Sequence, residues 1–259
     1  MLRRLGVRVV PAMQGAVAGT LVLAFATVAD AQIDGIVLIN QAAAEAGGVT
    51  PGDAPGFPVT ISLPGSYRLA GNLSISDPNL TAIQIITDNV SLDLNGHTIR
   101  GPADSCLERL RPIWCSQDTS GVGVLAGSDQ ELQAGVSVFN GIIRSMGRYG
   151  VRLGQWARVD RLMVTGNRYT GVFVATGSLV SNSQILKNGE HGIVCDAGCV
   201  LLGNTVFDNK AIGIGGARIV WGHNYVADNQ RQVRVRNGLV SSGGNACRGN
   251  HPLDCPFVP

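Results

Sequence analysis

Asp208 and Asp228 lie 20 residues apart, each directly before an asparagine. Two carboxylates brought to matching positions on stacked turns of chain could serve as acid and base across a glycosidic bond. That chemistry needs them roughly 5–9.5 Å apart, and stacked turns give the lower end. The plainer reading is stronger, because Asp before Asn is ordinary turn chemistry. His191 and His223 could move protons, yet both sit near turn residues, where a solvated polar side chain is the default. Asp93 and His97 flank the Asn95-Gly96 turn and read as turn packing. Trp114, Trp156 and Trp221 could stack on sugar rings or cap core and loops. Asp208, Asp228 and His191 are the catalytic candidates.

A second set comes from strand alternation, in which successive side chains point to opposite faces. Val151 and Leu153 read as inward, which turns Arg152 outward. Steps of 21 residues from Arg152 give Phe173, Val194 and Gly215, and a one-residue deletion with a small phase shift then leads to Arg234. A guanidinium grips a carboxylate through two parallel hydrogen bonds, and an exposed aromatic ring stacks on a sugar face. Arg152, Phe173 and Arg234 are therefore the candidate substrate-binding residues. Arg144, Arg148, Arg158, Arg161 and Arg168 crowd the same stretch.

The six cysteines fall as near neighbours: Cys106 with Cys115, Cys195 with Cys199, Cys247 with Cys255. Local bridges are the expected pairing in an oxidising compartment, although six cysteines allow 15 connectivities. Cys195 is the least certain partner, since it could point inward as a buried thiol. Zinc needs four ligands, and Cys195, Cys199 and His191 supply three. No metal and no cofactor are expected.

The elements that must position these residues repeat. Gly150, Gly171, Gly192 and Gly213 stand 21 residues apart. So do the aliphatic columns Val138, Val159, Val180, Leu201 and Ile143, Val164, Ile185, Val206, the latter reaching Val226 after 20. A fourth column is Asn167, Asn188, Asn209 and Asn229. Self-similarity at this period marks a solenoid. Short β-branched runs between Gly and Asn turns exclude helical repeats, which need 10–12 helix-patterned residues. One period is thus a coil of three short strands, with aliphatic columns inside and the asparagines stacked at a turn. Upstream, short strands are expected over 59–63, 67–69, 73–75 and 82–86, separated by Pro64-Gly65 and Asp77-Pro78-Asn79.

The run NVSLDLNGHTIRG, Asn89 to Gly101, joins strand alternation to an Asn-Gly turn. With the columns that follow, it resembles the coils of right-handed parallel β-helix proteins of the pectin-lyase-like group, over about residues 57–245. The resemblance implies an all-β, right-handed parallel β-helix of ~21-residue coils. It also implies substrate laid along one outward sheet. The activity motifs of the group are not matched. Calcium-dependent pectate lyases carry outward acidic residues where this chain has Arg152, Phe173, Val194, Gly215 and Arg234. His191-Gly192 and Arg218-Ile219-Val220 are poor counterparts of polygalacturonase motifs. The D-P-H-D motif of uronate epimerases is missing.

Domain organisation follows. Residues 1–31 read as a signal peptide, with Arg3, Arg4 and Arg8, an apolar run and an Ala29-Asp30-Ala31 cleavage site. Residues 32–56 form a short capping helix and linker, with Gln41 to Ala46 rich in helix formers. The β-helix occupies 57–245, interrupted by a loop insertion at 101–119, and 246–259 is a Pro- and Cys-bearing capping tail. Removing residues 1–31 takes away three arginines and one aspartate, leaving the rest near neutral. That excludes a global field for nucleic acid or anionic lipid. The expectation is a secreted or periplasmic monomer that binds an extended, anionic polysaccharide along one sheet. The alternatives are a polysaccharide lyase or glycoside hydrolase of undescribed motif, and a structural surface protein without ligand.

Overall fold

The computed structural model describes residues 35–102, 119–128 and 130–248. Residues 1–34, which include the expected signal peptide, most of the expected loop 101–119 with Cys106, Trp114 and Cys115, and Cys255 lie outside the described residues. What is described is a parallel β-solenoid with three faces. The first face carries Val59–Ile61, Ile83–Ile85, Val124–Ala126, Val151–Leu153, Val172–Val174 and Ile193–Cys195. The opening parts of the long strands Ile212–Gly222 and Arg231–Ser241 complete it. On the second face, Ser137, Arg158, Leu179 and Val200 begin successive segments, paired in register. The third face stacks Thr98–Arg100, the end of Ser137–Arg144, the end of Arg158–Thr165, Gln184–Leu186, Thr205–Phe207, Tyr225–Ala227 and Ala246–Arg248. Every pairing between these strands is parallel, the arrangement for which right-handed crossovers are the rule.

The aliphatic columns form the interior. Val164, Ile185 and Val206 pair on consecutive coils, and none exposes any surface. Val138, Val159, Val180 and Leu201 are equally buried, and Trp221 closes that column. The single helix among the described residues is Gln41–Ala46, the run rich in helix formers. It is preceded by a strand, Ile36–Ile39, that pairs with Gly65–Leu69. Asn40 caps it by accepting from the Ala43 N–H at 2.8 Å. At the other end, coiling continues past residue 245, since Ala246–Arg248 adds a strand to the third face.

The asparagine column is a buried amide ladder. The Nδ2 groups of Asn167, Asn188 and Asn209 donate to the Oδ1 of the next asparagine at 2.9–3.0 Å. Each of these Oδ1 atoms also accepts the backbone N–H of the preceding asparagine. None of these asparagines has left-handed backbone. It falls instead on the residue before: Gly166, Lys187, Asp208 and Asp228 have φ of 64°, 51°, 52° and 53°. The asparagine backbones are left free of that constraint so that their amides can face inward. The glycine column is set by the ladder. A Cβ on Gly192 would lie 2.5 Å from Val206 Cγ1 and 2.9 Å from Asn209 Nδ2, so only hydrogen fits.

A second ladder runs along the bend between the second and third faces. Ser183 N–H donates to Asn204 Oδ1 at 3.1 Å, and Asn204 Nδ2 to Asn224 Oδ1 at 3.0 Å. Asn224 Nδ2 then donates to Asn245 Oδ1 at 3.1 Å.

Asp160 is a buried carboxylate on the second face. It accepts from Ser181 Oγ at 2.8 Å and Asn182 Nδ2 at 3.0 Å, with Arg161 at 3.3 Å and Arg158 at 3.7 Å. Burial pushes its carboxyl up. The hydrogen bonds from Asn182 and Ser181 and the charges of Arg161 and Arg158 outweigh that and hold it below the ordinary carboxylate range. A depressed folded value means stability that is full above the unfolded value, about 3.9, and lost as pH falls through the folded one. Melting curves below about pH 4 should therefore show a smaller acid-induced drop in Asp160→Asn than in the wild type. Parallel acid curves for the two proteins would mean that the site contributes nothing.

Candidate functional site

The strand register builds the outward row from single positions on five coils. Arg152 pairs with Phe173, Phe173 with Val194, Val194 with Gly215, and Gly215 with Arg234. Their neighbours Val151, Val172, Ile193 and Ile214 point inward and are fully buried. Four strand spacings separate the two arginines, roughly 19 Å. Along the C-terminal part of this row lies a groove of about 340 Å³, lined by Phe173, Val194, Gly215 and Arg234, with His191 on one side and Arg236 near the last coil.

Two glycines shape the groove differently. Gly215 is its floor: a Cβ there would make ordinary contacts, 3.6 Å to Ile212 Cγ2 and 3.8 Å to the Arg234 oxygen. The groove exists there because the side chain is missing. Gly216 has φ of 147°, and a Cβ would collide with the Cys195 oxygen at 2.0 Å, so this glycine is required by the backbone.

Aromatic rings form the other end. Tyr149 meets Tyr169 edge to face at 5.7 Å and Phe173 at 6.4 Å. The Arg152 guanidinium lies over both Tyr149, at 5.5 Å, and Phe173, at 5.8 Å, while Arg148 lies over Tyr149 at 5.1 Å. Cation–π contacts of this kind attract the guanidiniums to the ring faces. Tyr149 and Tyr169 were not singled out from sequence. They occupy different repeat positions, so no aromatic column exists to betray them.

His191 Nδ1 accepts the Ile212 N–H at 3.2 Å, so the neutral ring carries its proton on Nε2. That nitrogen is 3.7 Å from Glu190 Oε2. Glu190 also takes a hydrogen bond from Tyr169. The negative charge of Glu190, followed by burial, holds the Tyr169 phenol above its ordinary range, and the phenol stays a donor. Asp196 lines the groove on its opposite side. Asp196 lies five positions after His191, just past the strand Ile193–Cys195 that runs between them.

Asp208 and Asp228 do occupy equivalent positions, the Asp208 N–H donating to the Ala227 oxygen. They begin the turns that leave the third face and do not line the groove. Asp208 is bonded to Lys210 at 2.6 Å. Asp93 is engaged by Arg68 at 3.1 Å, Asn140 at 3.1 Å and the Asn95 N–H at 2.7 Å. His223 is an exposed turn residue with φ of 54°. Trp221 is buried and Trp156 is 67% exposed on a turn.

Cys195 and Cys199 are joined by a disulfide across the turn that leaves the groove strand, with both residues fully buried. Their sulfurs are therefore not available as metal ligands. Cys247 is also disulfide-bonded. Among the described residues, no group of three or more His, Cys, Asp or Glu is placed to hold a metal ion. No helix among them is long and apolar enough to cross a membrane.

No protein-family model matches the chain, and no curated protein matches it. Among solved structures, it is similar to a double mutant of the periplasmic alginate epimerase AlgG. That match has 14% identity and a TM-score of 0.37, and covers 75% of this chain and 68% of that one. A second structure of the same epimerase gives 13% identity with the same TM-score and coverage. Similarity at this level reaches no further than the solenoid architecture.

Proposed function

We propose that the first face of the solenoid binds an extended anionic polysaccharide without cleaving it, its chain lying along the axis of stacking. The observation that carries this reading is the flat row from Arg152 to Arg234, with an open floor at Gly215 and cationic groups at both ends. A polymer with regularly spaced carboxylates could meet Arg152 and Arg234 together, with sugar faces against Phe173 and Val194. Bidentate guanidinium–carboxylate contacts supply strength and orientation. The missing close carboxylate pair in the groove favours binding over hydrolysis. The Cys195–Cys199 disulfide supports an extracytoplasmic setting.

The test is a titration of polygalacturonate against the wild type, Gly215→Phe and Arg152→Ala/Arg234→Ala. Gly215→Phe fills the groove at a position with steric room, so its melting temperature should stay within a few degrees while binding weakens at least tenfold. The double arginine variant should lose as much, and the wild-type affinity should fall with added salt. Undetectable wild-type binding, or equal binding by all three proteins, removes the proposal. New unsaturated or reducing ends in the mixture would replace binding with catalysis, and His191 and Tyr169 would then be mutated first.

A further inference from the structure

The corner where the first face turns into the second repeats one backbone conformation. The N–H groups of Asn89, Gly135, Trp156, Gly177 and Gly198 each donate to the carbonyl just before the equivalent position on the next coil. Those five and Arg218, next in the series, have φ between 49° and 74°. Glycine and asparagine adopt this left-handed backbone at least cost, and a bulky side chain there is an outlier. Trp156 carries the largest side chain in the column, and it is 67% exposed. Arg218 is exposed too, but a guanidinium is solvated by water, whereas an open indole is not. Trp156 therefore bears two costs at once, one in backbone and one in hydration, that a glycine would avoid. Costs of that kind collect where a ligand is held.

The ring is laid out as a platform. A Cβ on Gly177 would lie 2.8 Å from the Trp156 Cδ1 and 3.2 Å from its Nε1, so the five-membered part of the indole rests on a residue with no side chain to lift it. On the following coil, a Cβ on Gly198 would meet nothing within 4 Å, and that side of the corner is open. The flanking residues are polar: Gln155 and Arg158 are exposed and Thr176 is half-buried. Arg158 is shared with Asp160 at 3.7 Å, which offsets its charge. We infer that Trp156 is a stacking site for an uncharged pyranose, in particular the all-equatorial rings of a β-glucan. Each face of such a ring presents only C–H groups, which cover an indole. Its rim presents hydroxyls, which Gln155 and Thr176 serve as donors and acceptors. A protein partner would call for a contiguous apolar patch, which these polar neighbours do not form. The site uses no residue of the Arg152–Arg234 row and stands if polyuronate binding fails.

The probes are cellohexaose and laminarihexaose, with sorbitol as the polyol that has no ring. Calorimetry reads binding in every variant, and in the wild type a saturable change in tryptophan emission should accompany it. At least one glycan should bind the wild type saturably, and sorbitol should not. Trp156→Gly should weaken binding at least tenfold yet melt no lower than the wild type, because it installs the residue that Gly135, Gly177 and Gly198 already supply. Trp156→Tyr keeps a stacking ring and should retain part of the affinity. Arg152→Ala/Arg234→Ala should bind the glucans as the wild type does. The inference is overturned by no saturable binding, by equal binding in Trp156→Gly, or by loss of glucan binding in the double arginine variant. A Trp156→Gly melting temperature several degrees below the wild type would overturn it as well, by making the ring a lid over Gly177.

Discussion

An Ile185→Asp variant is expected to melt far below the wild type or to fail to fold. Ile185 is fully buried between Val164 and Val206 on the adjoining coils. The substitution places a carboxylate where aliphatic side chains surround it, with no hydrogen-bonding partner supplied. An isolated buried charge costs far more than a lost methyl group, and even after the carboxyl protonates, the penalty is several kcal/mol. Domains of this size have margins of about 5–15 kcal/mol. Ile185→Val removes one methylene and should cost only about 1 kcal/mol. Thermal melts of the two variants side by side separate charge burial from cavity formation. A wild-type melting temperature for Ile185→Asp would show that the side chain does not point inward.

The second large effect is expected at Asn188. Its Oδ1 accepts both the N–H and the Nδ2 of Asn167, and its Nδ2 donates to Asn209 Oδ1 and the Val164 oxygen. Asn188→Leu leaves buried donors of Asn167 without that acceptor, at about 1–3 kcal/mol each. Asn188→Asp keeps the size, loses the donor and buries a charge, so it should be at least as damaging. Lys187→Gly is the neighbouring control. Lys187 is exposed at φ of 51°, a conformation glycine adopts freely, so that change should be near neutral. Urea denaturation of the three variants measures the difference. Equal midpoints would show that the ladder is ornamental to stability.

The architecture was legible because the solenoid imposes the same environment once per coil. Val138, Val159, Val180 and Leu201 are alike because they fill equivalent places, and the period survives the deletion before Val226. Outward positions were legible by the same logic, and Arg152, Phe173 and Arg234 share a row. The groove itself was not. It is made by what Gly215 lacks, and glycine in a strand does not announce whether it marks an opening or a tight contact. Gly192 and Gly215 look alike in sequence, yet one faces the amide ladder and the other floors the groove. The Ser183–Asn204–Asn224–Asn245 ladder was overlooked because its first rung is a serine. Arg100 and Arg144 pair in register although they are 44 positions apart, so no fixed period links them.

The way the first ladder stops has a consequence for self-association. Every rung passes its amide donors toward the C-terminal end, so the column has a direction. At the last rung the Asn229 Nδ2 donates to Gln232 Oε1 at 3.0 Å, and the Gln232 amide returns a bond to the Asn229 oxygen at 2.9 Å. The column thus folds back within its own turn and offers no outstretched amide to a further layer. Stacked asparagine amides are among the contacts that let identical strands add indefinitely to a fibril end. A solenoid is a fibril of finite length built from one chain, and an arriving strand would extend it by the same bonds. Among the described residues, Gln232 acts on this column as a chain terminator acts in polymer chemistry, quenching the last amide of the ladder within its own turn.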